Sequence, residues 1–145
     1  MSSLRQQLLD AAFSQYGLME VRGVADNPEI TKYFDELGFD GALMKDETAW
    51  CAAFVGWCLA CICLESSGKL NARSYLEYGA KTENPVLGDL VILWRESPQS
   101  WKGHVGFYVN HDKDHVYVLG GNQSNMVSVA AYPISRVLGY RSIAV

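Results

Sequence analysis

The side chains of this chain best suited to covalent chemistry are its four cysteines and three histidines. All four cysteines, Cys51, Cys58, Cys61 and Cys63, lie in one stretch, TAWCAAFVGWCLACICLES. The histidines, His104, His111 and His115, follow much later. A thiolate is a nucleophile and a metal ligand, and an imidazole is a base near neutral pH. The question is which of these residues can meet.

A disulfide framework is a poor reading, because four cysteines within one apparent helix have the wrong Cβ geometry for pairing. Metal binding has some support in the spacing Cys58-x-x-Cys61-x-Cys63. No second cysteine pair and no nearby histidine completes a ligand set, and a regular helix points Cys61 and Cys63 roughly 200° apart at ~100° per residue. Cys58, Cys61 and Cys63 therefore read as small hydrophobes packed in a core. A metal-binding regulatory domain built on them is the alternative.

Cys51 differs by position. Polar Asp46, Glu47 and Thr48 precede the apolar run, and Thr48 or Asp46 suits a helix N-cap. Cys51 then falls in the first helical turn, where unpaired N–H groups and the helix dipole favour a thiolate. On position alone it reads equally well as one more core cysteine.

A thiol nucleophile needs a base. His111 and His115 flank DKD and read as solvated residues of a hairpin loop. His104 opens GHVGFYVN, a strand in which His104, Gly106 and Tyr108 share one face and Val105, Phe107 and Val109 the other. Small Gly106 leaves room for something to approach on the histidine face. A third group should orient the imidazole. The following strand ends in Gly120, Gly121 and Asn122, where two glycines suggest a close backbone approach. Asn122 is the first candidate to accept a hydrogen bond from the His104 ring, and Gln123 is the fallback.

The elements that must position these residues follow from periodicity. Leu4 to Tyr16 carries Leu9, Ala12, Phe13 and Tyr16 at helical spacing. DNPEITKYFDELG predicts a short helix with Asn27 as cap, Pro28 at the first position and Gly38 at the stop. The cysteine helix comes next, and NARSYLEYG predicts a further turn or two. After NPVLGD the pattern turns to strands: Asp89–Trp94, His104–Val109, His115–Leu119, Val127–Ala131 and Leu138–Ser142. Helices first and strands second predict an α+β fold, with N-terminal helices on a C-terminal antiparallel sheet of about five strands.

Composition limits the function classes. The chain has 145 residues, 19% charged and 49% hydrophobic, as expected of one globular domain over 1–145. A net charge of −4 without a basic stripe argues against nucleic acid. The uncharged run from Ala49 to Leu64 is 16 residues, against roughly 20 for a membrane span. It reads as a buried helix. The opening MSSLRQQLLDAAF lacks the apolar core of a secretory signal.

Taken in order, WCAAFVGWCL, LGDLVILWR, GHVGFYV and GGNQSN resemble the CHAP and NlpC-like branch of the papain-like cysteine hydrolases. The resemblance covers Asp46 to the C-terminus and is nearest to short members found in phage, prophage and secretion-system settings. It implies a hydrolase of amide bonds in the peptide part of bacterial peptidoglycan, with Cys51 as nucleophile, His104 as base and Asn122 as the polar third residue. It implies a thiolate–imidazolium pair, backbone N–H groups around Cys51 as oxyanion donors, and no metal or organic cofactor. Many CHAP members carry a Glu two residues before that Asn; here the position is Gly120. Trp50 and Trp101 flank the expected chemistry, with packing the preferred role for each. Without a signal sequence, the expected setting is the periplasm or wall reached from the cytoplasm. The routes are phage lysis or, the preferred one, injection as an antibacterial effector met by an immunity protein. A catalytically silent binding module of the same fold is the remaining alternative.

Overall fold

The computed structural model describes residues 3–18, 32–33, 50–124 and 126–143. Helix α1 spans Leu4–Ser14 and α2 spans Trp50–Cys61; a 3-10 helix spans Ala72–Glu77. The strands are β1 Ala80–Thr82, β2 Leu90–Trp94, β3 Gly103–His111, β4 His115–Gln123, β5 Met126–Pro133 and β6 Val137–Ser142. They form one sheet in the order β1-β6-β2-β3-β4-β5, antiparallel at every pairing. The expected α+β order of helices then strands holds. The sheet has six strands where about five were expected, because the short edge strand β1 has too little alternation to be read.

Helix α1 starts at Ser3, whose side chain accepts the N–H of Gln6, as an N-cap hydroxyl does. Its buried face is Leu8, Leu9 and Ala12. Phe13 and Tyr16, assigned to that face from the sequence, are exposed; the stripe is centred one residue earlier, on Leu8. Arg5 ties the helix to the start of β2, donating to the Leu87 carbonyl at 3.0 Å and to Oδ1 of buried Asp89 at 2.9 Å. The Asp89 Oδ2 takes the Val86 N–H at 2.8 Å. Asp89 is thus a structural anchor.

Helix α2 is buried on nearly every side, as its uncharged sequence requires. Trp50, Phe54, Val55, Cys58 and Leu59 join Val105, Phe107 and Leu119 in the main core. A second cluster, Val91, Leu93, Tyr108, Val116 and Val118, covers the opposite face of the sheet. The alternation read for β3 is therefore the observed one, with Val105 and Phe107 toward the helices and Tyr108 away from them.

The helix ends sooner than its apolar run. Leu64 donates its N–H to Leu59 O at 2.9 Å and Cys63 to Ala60 O at 3.0 Å, with Cys63 at φ 61°. These are the two bonds of a Schellman stop. It turns Ile62 inward and leaves Cys61 and Cys63 exposed. The expectation of packed cysteines holds for Cys58 and is corrected for Cys61 and Cys63. Among the described residues, no three His, Cys, Asp or Glu side chains group closely enough to hold a metal. No described helix is long and apolar enough to cross a membrane.

The expected caps at Asp46 and Thr48, and the helix over DNPEITKYFDELG, lie outside the described residues except for helical Lys32 and Tyr33.

Candidate active site

Strand β3 runs beside β2 along its first half, with Leu93 opposite His104 and Ile92 opposite Val105. Its pairing with β4 extends only from Phe107–Leu119 to His111–Val116. Beyond Phe107 the pairing with β4 ends, although the strands stay packed at Gly106, and the start of α2 meets them there. The Val105 backbone comes near enough to the Cys51 thiol to lower its pKa. A side chain on Gly121 would collide with the ring of Trp50, 2.8 Å from Cζ3, and with Cβ of Phe54 at 3.0 Å. The close approach expected of the glycine pair is that of the helix itself. Cys51 thus comes to lie against the residue that follows His104.

His104 is buried. Its Nε2 lies 2.9 Å from Oε1 of Gln123 and 3.3 Å from the hydroxyl of Tyr132. The amide orientation of Gln123 is fixed by its other end. The Gln123 Nε2 donates to the carbonyls of Ser128 at 2.7 Å and Val118 at 3.1 Å. Two carbonyl acceptors require the NH2 group on that side, so the oxygen must face the histidine. A carbonyl oxygen only accepts, so His104 carries its proton on Nε2. Nδ1 keeps its lone pair, the form a general base needs.

The contact expected from Asn122 is therefore made by Gln123. The reason is geometric: Asn122 sits at φ 57° where the β4–β5 register shifts, and its side chain lines a neighbouring cavity. Gly120 makes the exchange possible. A Cβ there would lie 2.8 Å from Gln123 Oε1 and 3.4 Å from His104 Nε2. The space belonging to a side chain at 120 is filled by the Gln123 amide reaching back from three residues on. Gly106, expected to leave room beside His104, is instead closed over by Val118 of β4.

Burial dominates the electrostatics. It raises the Cys51 thiol above its ordinary value, against weaker lowering by the Val105 and Ala52 backbone and by the charge of Arg95. The backbone of Cys51 itself also lowers the thiol, but desolvation outweighs these effects. Burial likewise pushes His104 down to about 4, opposed by the Gln123 hydrogen bond and reinforced by Arg95 and Arg136. Both shifts favour the uncharged forms, the thiol and the neutral imidazole. Tyr132 is pushed up to about 12 by burial and by proximity to Cys51, so it keeps its hydroxyl proton. Its ring lies 5.3 Å from that of His104.

Three contributors escaped the sequence reading: Tyr132, Arg95 and Arg136. For Arg95 a signal existed. It lies two residues after Leu93, which faces His104 across the β2–β3 ladder, so alternation puts it on the histidine face. Tyr132 and Arg136 depend on the long return of β5 and left no local trace. Of the two tryptophans, Trp50 is fully buried in the core, and Trp101 is 73% exposed on the loop after β2. Arg73 holds that loop through the carbonyls of Lys102, Pro98 and Ser97 at 2.9, 2.8 and 3.0 Å.

Solved structures share this arrangement of elements. One is an NLP/P60-family protein, described as similar to lipoprotein, from Staphylococcus aureus. It aligns with a TM-score of 0.56 at 15% identity, over 98% of this chain and 42% of that one. The chain thus spans less than half the length of the staphylococcal protein. Another is the P60 domain of an antigen from M. avium paratuberculosis, with a TM-score of 0.55 at 15% identity, over 97% of this chain and 93% of that domain. The fold is the papain-like one of the NlpC/P60 proteins. No curated protein sequence matches the chain. The CHAP domain profile matches residues 44–122, which include Cys51, His104 and Asn122. With more than half of its length in that match, the chain belongs to the CHAP domain family.

Proposed function

We propose that the protein is a cysteine hydrolase of amide bonds in the peptide part of bacterial peptidoglycan, with Cys51 as nucleophile, His104 as base and Gln123 as the residue that orients the base. One observation carries the reading: a thiol in the first turn of a helix lies against the strand of an imidazole whose far nitrogen is held by a fixed amide.

In this reading Nδ1 of His104 takes the Cys51 proton as the sulfur attacks the scissile carbonyl carbon. Burial of both groups favours making this transfer part of the attack over a preformed thiolate–imidazolium pair. Backbone N–H groups beside Cys51 receive the oxyanion. The imidazolium gives its proton to the leaving amine as the C–N bond breaks, leaving a thioester. Water, deprotonated by Nδ1, attacks the thioester and releases the acid and the free thiol. No metal or organic cofactor takes part.

The setting proposed with this chemistry is that of an antibacterial effector injected by a secretion machine, whose producer would protect itself with an immunity protein over the cleft. Phage lysis is the other route. Periplasmic expression is then toxic through Cys51 and cytoplasmic expression is not.

The direct test is digestion of purified peptidoglycan by wild-type and Cys51→Ala protein, read by mass spectrometry. New fragments from the wild type alone support the reading and identify the bond. Equal digestion by both would remove Cys51 from the mechanism.

A further inference from the structure

A cavity of about 270 Å³ opens beside His104, lined by Arg95, His104, Asn122, Ser124, Tyr132 and Arg136. Among the described residues its wall holds two arginine cations and no carboxylate. Arg136 is fixed in place: its Nε and Nη2 donate to the Trp94 carbonyl at 3.1 and 2.9 Å. Its guanidinium carbon lies 5.6 Å from the Trp94 ring and 5.5 Å from the Tyr132 ring. That leaves the rest of the planar group without an acceptor among the described residues. Among the described residues Arg95 makes no ion pair either; the adjacent Glu96 is engaged by Lys102 at 2.8 Å.

Two guanidinium groups facing a buried histidine work against its protonation, and both do so here. A base in the proposed reaction must become a cation during each turnover. An anion seated between the arginines would reverse that effect. The donors suit a carboxylate: guanidinium groups bind planar two-oxygen anions through paired N–H bonds, and the Asn122 amide and Ser124 hydroxyl supply further donors at the rim.

We propose that this cavity binds a free carboxylate of the substrate next to the scissile amide, through Arg95 and Arg136, so that the enzyme selects acidic peptides over their carboxamide forms. The inference rests on the hydrolase reading for the place of the scissile bond. It assigns to the same cavity a second task, since the bound carboxylate makes His104 a stronger base only when substrate is present.

The test uses Cys51→Ala protein and a synthetic stem tetrapeptide, with analogues in which each carboxylate in turn is a carboxamide. Binding is measured by calorimetry, and the His104 ring is titrated by NMR. One carboxamide is expected to weaken binding at least tenfold, a difference that disappears in Cys51→Ala/Arg95→Gln and in Cys51→Ala/Arg136→Gln. The parent peptide, and not that analogue, raises the midpoint of the His104 titration. Equal binding of all peptides, no binding of any, or a preference that survives both arginine changes overturns the inference. The hydrolase reading is judged separately by wild-type digestion of peptidoglycan. Carboxylate-dependent binding without Cys51-dependent cleavage would sink that reading and leave the cavity assignment standing; cleavage without carboxylate preference would do the reverse.

Discussion

Helix α2 and the β3–β4 hairpin each carry the same reactive side chain at both ends. The helix has Cys51 at its start and Cys61 and Cys63 at its finish; the hairpin has His104 where its pairing has ended and His111 and His115 at its loop. At one end both residue types are buried beside polar groups: the Cys51 sulfur near the Val105 backbone, the His104 ring hydrogen-bonded to Gln123. At the other end they lie in solvent. Cys61, Cys63, His111 and His115 are all exposed, with His111 against the Tyr108 hydroxyl and His115 3.7 Å from Asp112. Residue type is the same at each end, so it cannot be what makes a site. The difference is a broken ladder. Where β3 and β4 pair, their side chains meet solvent or core; where the pairing stops, backbone and amide groups are free to hold a thiol and a ring.

The largest predicted effect tests that contrast directly. Cys51→Ala and His104→Ala are each expected to lower kcat/KM on peptidoglycan fragments by about 10³-fold or more, the usual loss for a nucleophile or its base. His111→Ala and His115→Ala should stay within about twofold, as surface changes do. A steady-state assay on folded proteins checks all four, and a large loss at the loop histidines would break the comparison.

Gln123 comes next. Gln123→Ala is expected to lower kcat by about 10- to 100-fold with little change in KM, because it frees the ring without touching substrate. Gln123→Glu should not rescue it. The second carboxylate oxygen would face the Val118 and Ser128 carbonyls that now accept N–H bonds. Gly120→Glu should be harmful alone, with its Cβ 2.8 Å from the Gln123 oxygen, yet restore activity on the Gln123→Ala background. Failure of that rescue, with the double variant folded, would mean that the amide at 123 does more than hold the ring.

This exchange also shows what the sequence can and cannot carry. The placement of Cys51 on the buried helix and of His104 on a strand was legible because apolar runs and strand alternation are local patterns; their proposed roles came from the family resemblance. The glycine pair was legible as a place of close approach. Which of Asn122 and Gln123 meets the ring was not, since the answer depends on a register shift between β4 and β5 and on a positive φ at Asn122. Tyr132 and Arg136 reach the site by the return of β5 and the turn after it, over distances that no local pattern spans. The five longer strands were readable from alternation; three-residue β1 was not. The cysteines at 61 and 63 were misread because an apolar run says nothing about where the helix inside it stops.

The buried histidine predicts a pH dependence of stability. His104 is held near 4 in the folded chain, below its ordinary value of 6.5. The unfolded chain therefore binds more protons between these values, and stability falls as pH drops from about 6.5 through about 4. The shift corresponds to a loss on the order of 3 kcal/mol at 1.36 kcal/mol per unit. Urea denaturation across that window should show the slope in the wild type and a reduced slope in His104→Gln. An unchanged slope would mean that His104 is solvated and that the contrast with the loop histidines is smaller than its burial implies.

Away from the site, Arg5→Ala leaves the Asp89 carboxylate buried with one N–H partner from Val86. The expected cost is about 1–3 kcal/mol, below the figure for a fully buried pair because Arg5 is partly exposed. Asp89 O also takes the Tyr108 N–H at 2.6 Å, in the half of β3 that pairs with β4. The loss should therefore appear in denaturation and leave kcat unchanged at permissive temperature.

The smallest effect concerns the far end of α2. Cys63 stands at the position of a Schellman stop where glycine is preferred, at φ 61°. A residue with a Cβ is strained there, and its exposed thiol offers no packing in return. Cys63→Gly is expected to stabilise the protein by about 0.5 kcal/mol, the relief of a left-handed Cβ less the added freedom of the unfolded chain. Cys63→Ala keeps the Cβ and should change nothing measurable. Cys58→Ala, inside the core, should cost about 1–2 kcal/mol through the space it leaves. None of the three should alter turnover. A well-folded variant at 58 or 63 without activity would show that sulfur at the far end of the helix reaches the chemistry after all, and the distinction between the two ends would fail at its simplest point.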